Sequence, residues 1–232
     1  KKYLIALALV GFATTSCYEK LNIAPPNRIT NDQIQELLKS DPEKAEAIMS
    51  SVAAGMVPLF HEKDIRDMGS ADTRYYNYAD VACMRNLEAN DIAAMGTDLS
   101  GSVWGMAEYN LITVFGEHDD KVPPYWYLCW DNITAANKLL DNLPMSTVGD
   151  NKKLKQYRAM GLVTRAYFYN YLMENFQQAY MLDGQANYDN KLGMMLYTSF
   201  DPQQPYKARA SAAETYDSIL KWSKDAVTLM KE

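Results

Sequence analysis

Apolar residues recur at intervals of three and four along much of this chain, the pattern of helices that bury one face. The strongest such stretch is Gln156–Tyr180, where Tyr157, Gly161, Thr164, Phe168 and Tyr171 share a face. From Leu162 a second face is apolar too, through Val163, Ala166, Tyr167 and Leu172. A helix apolar over most of its girth needs neighbours on several sides, so this one is expected in the core. Gly161 and Ala166 are small enough to admit a close helix backbone.

The flanking stretches follow the same pattern. After Pro123-Pro124, residues Trp126, Trp130, Ile133, Asn137 and Leu140 make a stripe that Leu143-Pro144 ends. A polar loop, Ser146–Lys153, then joins it to the first helix as an antiparallel hairpin. Upstream, Thr30 and Gln33 form a capping box before Ile34, Leu37 and Leu38. Asp41 as N-cap and Pro42 in the first turn open a helix with Ala45, Ile48, Met49, Val52, Ala53 and Met56, reaching about Pro58. Ser102–Phe115 begins as a helix carrying Trp104, Ala107 and Leu111. Asp183–Asn190 is turn-rich, and Gly193–Tyr197 reads as a short extended segment. A second capping box, Ser211 with Glu214, precedes Tyr216, Ile219, Leu220, Val227 and Met230. That pattern runs to Glu232 without a C-cap, so the sequence is expected to stop partway through a longer protein. The fold class is mainly α, with helical hairpins in the tetratricopeptide (TPR) style and long irregular loops, although the 34-residue period of true repeats is not clean.

The N-terminus has a different character. Lys1-Lys2 precede the uncharged apolar run Tyr3–Phe12, then the small residues Ala13–Ser16, then Cys17. The run is shorter than the ~20 apolar residues of a membrane-spanning helix and fits a secretory signal. Small residues directly before a cysteine resemble a bacterial lipobox, with Thr14 where Leu is usual. Residues 1–16 are then a signal peptide, Cys17 is the acylated residue, and 17–29, with Pro25-Pro26, is an extended tether. Acylation by two or more chains gives stable membrane attachment. Ordinary cleavage that leaves Cys17 a free thiol is the alternative. Residues 30–232 form the folded domain.

Composition narrows the function. Hydrophobic residues make up 48% of the 232, which excludes a disordered chain. The net charge is −6 with no basic cluster after residue 2, so no nucleic-acid partner is expected. Aromatics are skewed to 17 Tyr and 4 Trp against 6 Phe, which suits half-buried contacts with ligands or partners as well as ordinary packing. An exported compartment permits a Cys83–Cys129 disulfide. Cys129 lies in the apolar run Trp126–Trp130, where a buried free thiol is equally natural.

Candidate chemistry is sparse. Residues 61–100 are polar, aromatic and poorly periodic, the kind of long loop that is often functional. Within them Arg74, Tyr75, Tyr76, Asn77 and Tyr78 are the most ligand-like, since aromatic faces stack on sugar rings while Asn and Arg bond hydroxyls. Trp104 is a further candidate. Packing against the helices is the alternative for these side chains. His118, with Glu117, Asp119 and Asp120, has metal-ligand chemistry, but adjacent residues rarely converge on one ion, and a solvated turn is favoured. Asp183–Asn190 fails as an EF-hand, with Tyr188 in place of Gly and Met194 in place of the bidentate Glu. His61-Glu62 lacks the second His of a zinc-protease motif, which would be at Ile65, and no G-x-S-x-G is present. No catalytic residues, metal or cofactor are expected.

Three stretches resemble the SusD/RagB family. Gly161–Phe176 (GLVTRAYFYNYLMENF) is similar to its "LRA-x-x-YF-x-L" helix. Trp126–Pro144 is similar to the preceding helix, with Trp126, Trp130, Ile133, Asn137 and Leu140 in the patterned places. Arg209–Met230 is similar to the next one through Arg209, Ser211, Glu214, Tyr216, Ile219 and Ala226. Departures are Trp222-Ser223 for an Asp-Leu pair, Asn175–Gln178 for "yG-x-x-P", and the absence of the family's long C-terminal half. The resemblance implies a SusD-like α-rich fold, truncated, with no catalysis. It implies a lipid-anchored protein on the outer-membrane surface that captures an oligosaccharide or another nutrient for a SusC-type TonB-dependent transporter. The alternatives are a TPR-like scaffold that binds only protein, or a secreted glycoside hydrolase.

Overall fold

The computed structural model describes residues 31–56, 122–177, 181–182, 185–186, 191–201 and 203–231, with isolated positions between 82 and 91. These residues are mostly helical: α1 Asn31–Ser40, α2 Pro42–Ala54, α3 Val122–Asn142, α4 Met145–Val148, α5 Lys152–Phe176 and α6 Ala212–Lys231. A two-stranded antiparallel ladder, β1 Met181–Leu182 with β2 Gln185–Ala186, lies between α5 and α6.

Helix boundaries follow local chemistry. The Asp41 carboxylate accepts from Lys44 N at the start of α2, with Pro42 in the first turn. Asn151 Oδ1 accepts from Lys153 N and Leu154 N, so α5 begins at Lys152 and not at Gln156. It ends at Phe176 and not at Tyr180, with Gln177 N bonded to Met173 O. Pro123 and Pro124 lie inside the first turn of α3, where a missing N–H costs nothing. The expected Ser146–Lys153 loop contains most of one helical turn, α4, which buries Val148.

α3 and α5 form the central antiparallel hairpin. Partners step down α3 as they step up α5: Arg158 meets the Leu143 and Leu140 carbonyls, Arg165 meets Asn137, Tyr169 meets Trp130, and Phe176 meets Trp126. Gly161 permits this approach, because a Cβ there would lie 3.0 Å from Leu140 Cγ. Arg158 also places a cation on the last carbonyls of α3, where the helix dipole favours one.

The hairpin contributes to two apolar clusters. One joins it to α1 and α2 through Ile34, Leu38, Ala45, Met49, Leu139 and Leu143. The other joins it to α6 through Ile133, Phe168, Tyr169, Leu172, Ile219 and Trp222. The second buried face of α5 differs from the one expected. Val163 and Tyr167 are exposed, while Arg165 and Tyr169 are buried in their place. α6 differs in the same way. Its buried stripe is Ala212, Thr215, Ile219, Trp222, Ala226 and Leu229, in steps of three and four, while Leu220, Val227 and Met230 face solvent. The capping box of α6 forms in full: Ser211 N and Oγ donate to Glu214 Oε2, and Glu214 N donates to Ser211 Oγ.

Residues 191–201 run extended beside the start of α6. Leu192 and Ser211 form an antiparallel bridge, and Gly193 N bonds Ala210 O at 2.6 Å. Gly193 has no room for a side chain, since a Cβ would lie 2.1 Å from Thr215 Oγ1 and 2.5 Å from Ser211 O. Arg209, one of the patterned residues, fixes the same segment by donating from Nε to Gly193 O and from Nη2 to Leu192 O.

Candidate functional site

Residues Cys17, Arg74, Tyr75, Tyr76, Asn77, Tyr78 and Trp104 lie outside the described residues, as do Cys83 and the His118 cluster. Cys129 is a fully buried free thiol, so it is not bridged to Cys83, and burial pushes its pKa up. Among the described residues no cluster of His, Cys, Asp or Glu could hold a metal ion.

The structure places another set of ligand-type side chains together. An open cleft of about 280 Å³ lies between α3 and the described residues of 197–206. Trp130, Ile133, Thr134 and Asn137 form its α3 side, and Tyr197, Ser199, Phe200, Asp201, Gln204 and Tyr206 form the other. The opposing wall is irregular chain, so its position depends on what fastens it to the helices.

Four residues do that. Tyr169 on α5 is fully buried; its hydroxyl donates to Met195 O at 2.9 Å and accepts from Tyr197 N at 2.8 Å. Burial raises its pKa, which keeps the phenol protonated as that donor. Arg165 donates from Nη1 to Asn137 Oδ1 and to Thr198 O, both at 3.1 Å. Its guanidinium lies over the Trp222 ring, 4.4 Å from the centroid, and burial pushes its pKa down to about 10, still a cation at neutral pH. Asn137 completes the connection by donating from Nδ2 to Tyr197 O at 2.9 Å. At the outer end Asp141 Oδ2 accepts from Phe200 N at 2.6 Å. Burial raises the Asp141 pKa, an effect opposed by that amide and by Arg165.

The floor is aromatic. Trp130 meets Tyr169 and Tyr197 edge-on at 5.8 and 5.7 Å, and its buried indole N–H has no acceptor among the described residues. At the rim Asp201 opens a turn, its Oδ1 accepting from Gln203 N and its carbonyl from Gln204 N. Asp201 and Gln204 of this turn line the cleft together with the fully exposed Tyr206. Aromatic surface with carboxylate, amide and hydroxyl groups is the chemistry that holds a polyhydroxylated ring.

A family profile described as starch-binding, associating with outer membrane, matches residues 31–232. The chain belongs to the SusD-like family. The match includes every described helix of this SusD-like chain, and the family's description is of a binding protein and not of an enzyme. No curated protein and no solved structure matches the chain.

The sequence pattern assigned Trp130, Ile133 and Asn137 of this SusD-like chain to a packing stripe, and they are that. Their second role, as one wall of a cleft, was not legible. The run Tyr197–Tyr206 (YTSFDPQQPY) shares its combination of aromatic and amide residues with Arg74–Tyr78. That shared composition was the available signal.

Proposed function

We propose that this chain is the capture component of an outer-membrane glycan uptake system. It binds an oligosaccharide on the exterior surface and passes it, unmodified, to a SusC-type TonB-dependent transporter. The observation that carries this reading is the open aromatic and amide-lined cleft, on a chain whose family is described as starch-binding. In this reading residues 1–16 are removed, Cys17 carries the lipid anchor, 17–29 tether the folded domain 30–232, and the TPR-like helical hairpins face the transporter. Arg74, Tyr75, Tyr76, Asn77, Tyr78 and Trp104 add contacts to the bound glycan.

Calorimetry of the purified chain against a glycan panel, followed by product analysis, tests the function. Binding without change in the sugar is expected, and turnover would overturn it in favour of a hydrolase. Co-purification with an outer-membrane β-barrel and removal by trypsin on intact cells test the partner and the location. A protein that co-purifies with the barrel but binds no glycan would be a scaffold.

A further inference from the structure

We infer that the cleft between α3 and residues 197–206 is a subsite for one neutral pyranose ring, stacked on Tyr206 and held through its hydroxyls by Asp201 and Gln204. This rests on the glycan-binding reading above and gives it a place and a ligand chemistry.

Size comes first. At about 280 Å³ the cleft lies at the lower edge of the ~300–1,000 Å³ typical of small-molecule sites. It therefore suits a single ring or the end of a chain, with the rest of the glycan outside.

The orientation of the groups comes second. The Asn137 side chain is already engaged by Arg165 and Tyr197 O, and the Tyr197 hydroxyl accepts from Lys207 N. These two are structural. By contrast, the Gln204 amide and one Asp201 carboxylate oxygen have no partner among the described residues, and both belong to the turn at the rim. A carboxylate accepts from two adjacent hydroxyls, and an amide both donates and accepts, which matches a vicinal diol. Tyr206 beside them is fully exposed. Single exposed apolar side chains are ordinary, but this ring stands where a sugar held by Asp201 and Gln204 would cover it.

Charge decides between neutral and acidic sugars. Among the described residues that line the cleft, the one with a full charge is Asp201. Lys138 and Lys207 are held over the Phe200 and Tyr197 rings, at 4.3 and 5.3 Å, and Lys207 Nζ donates to Leu196 O. Arg165 lies behind Asn137. A uronate or a sulfated ring would bring its anion against Asp201 without a guanidinium to receive it.

The test is titration of the full chain with maltotriose and with a galacturonic acid trimer, for the wild type and for Tyr206→Ala, Asp201→Ala and Gln204→Ala. All three substitutions are at the surface, and far-UV circular dichroism should report an unchanged fold. The expected result is maltotriose binding that each variant weakens by about tenfold, as for loss of one anchoring contact, with little binding of the acidic trimer. If the wild type binds maltotriose and all three variants bind it equally well, the cleft is not the site, and the capture function stands without it. If the acidic trimer binds as tightly as maltotriose, the neutral preference is wrong. A wild type that binds no member of the wider glycan panel overturns the capture function, and this inference with it.

Discussion

Arg165 Nη1 donates to Asn137 Oδ1 across the α3–α5 interface at 3.1 Å, and Asn137 in turn donates to the Tyr197 carbonyl. A buried cation on one helix thus fixes an amide on the next, and that amide fixes the irregular wall of the cleft. Both α5 and α6 take part, since a face of the guanidinium rests on Trp222.

Asn137→Leu removes the acceptor from a buried guanidinium and the donor from Tyr197 O. A loss of about 1–3 kcal/mol is expected, the cost of leaving such groups unpaired. Asn137→Asp keeps the one acceptor oxygen and makes an ion pair with Arg165. Although its second oxygen replaces the donor to Tyr197 O, it should lose less because the guanidinium stays paired. Urea midpoints of the two variants check the order, and a more stable Asn137→Leu protein would contradict it.

Phe168 and Tyr169 are adjacent and both fully buried, yet they do different things. Phe168→Ala should cost ~3–5 kcal/mol through the cavity it leaves and unfold a marginal domain. Tyr169→Phe keeps the ring and removes only the hydroxyl that holds Met195 O and Tyr197 N. Faster hydrogen exchange at the Tyr197 amide, with the helices still protected, is the expected outcome for that variant.

The register of α6 can be tested by contrast. Trp222→Ala should cost about 3–5 kcal/mol, whereas Leu220→Gln and Val227→Gln on the exposed face should stay within about 0.5 kcal/mol of the wild type. Thermal unfolding of the three variants is enough. A large loss at Leu220 or Val227 would mean that the solvent-facing stripe is covered.

Glu214 gives the domain an acid-sensitive helix start. Its pKa is held below the ordinary 4.5 by the Ser211 amide first and the Ser211 hydroxyl second. A carboxylate with a lowered folded pKa stabilises fully above its unfolded value, and the contribution disappears as pH falls through the folded one. Glu46, lowered by its hydrogen bond from Lys153, acts in the same window. Acid unfolding followed by circular dichroism should therefore show a shallower loss below pH 4.5 for Glu214→Gln than for the wild type, with the Glu46 part remaining. Ser211→Ala, which removes the cap itself, should cost about 1 kcal/mol at neutral pH.

The sequence by itself determined the five long helices among the described residues, several of their caps and the family. Ser211 with Glu214, Asp41 with Pro42, and the Trp126–Leu140 stripe all concern residues within a few positions of one another, where backbone geometry leaves few choices. The likeness of Gly161–Phe176 to a SusD/RagB helix was legible for the same reason. Which face each helix buries was less so. On α5, Val163 and Tyr167 are as apolar as a core requires, yet the buried positions are Arg165 and Tyr169. Hydropathy counts their polar tips against them, while the folded chain satisfies those tips with Asn137, Thr198 O, Met195 O and Tyr197 N. Those partners are 26 to 33 residues away, or on another helix. Only the tertiary structure decided that Arg165 and Tyr169 belong inside. It also decided that residues 197–206 should stand opposite α3 and make a cleft, because the bonds that hold them there join segments far apart in sequence.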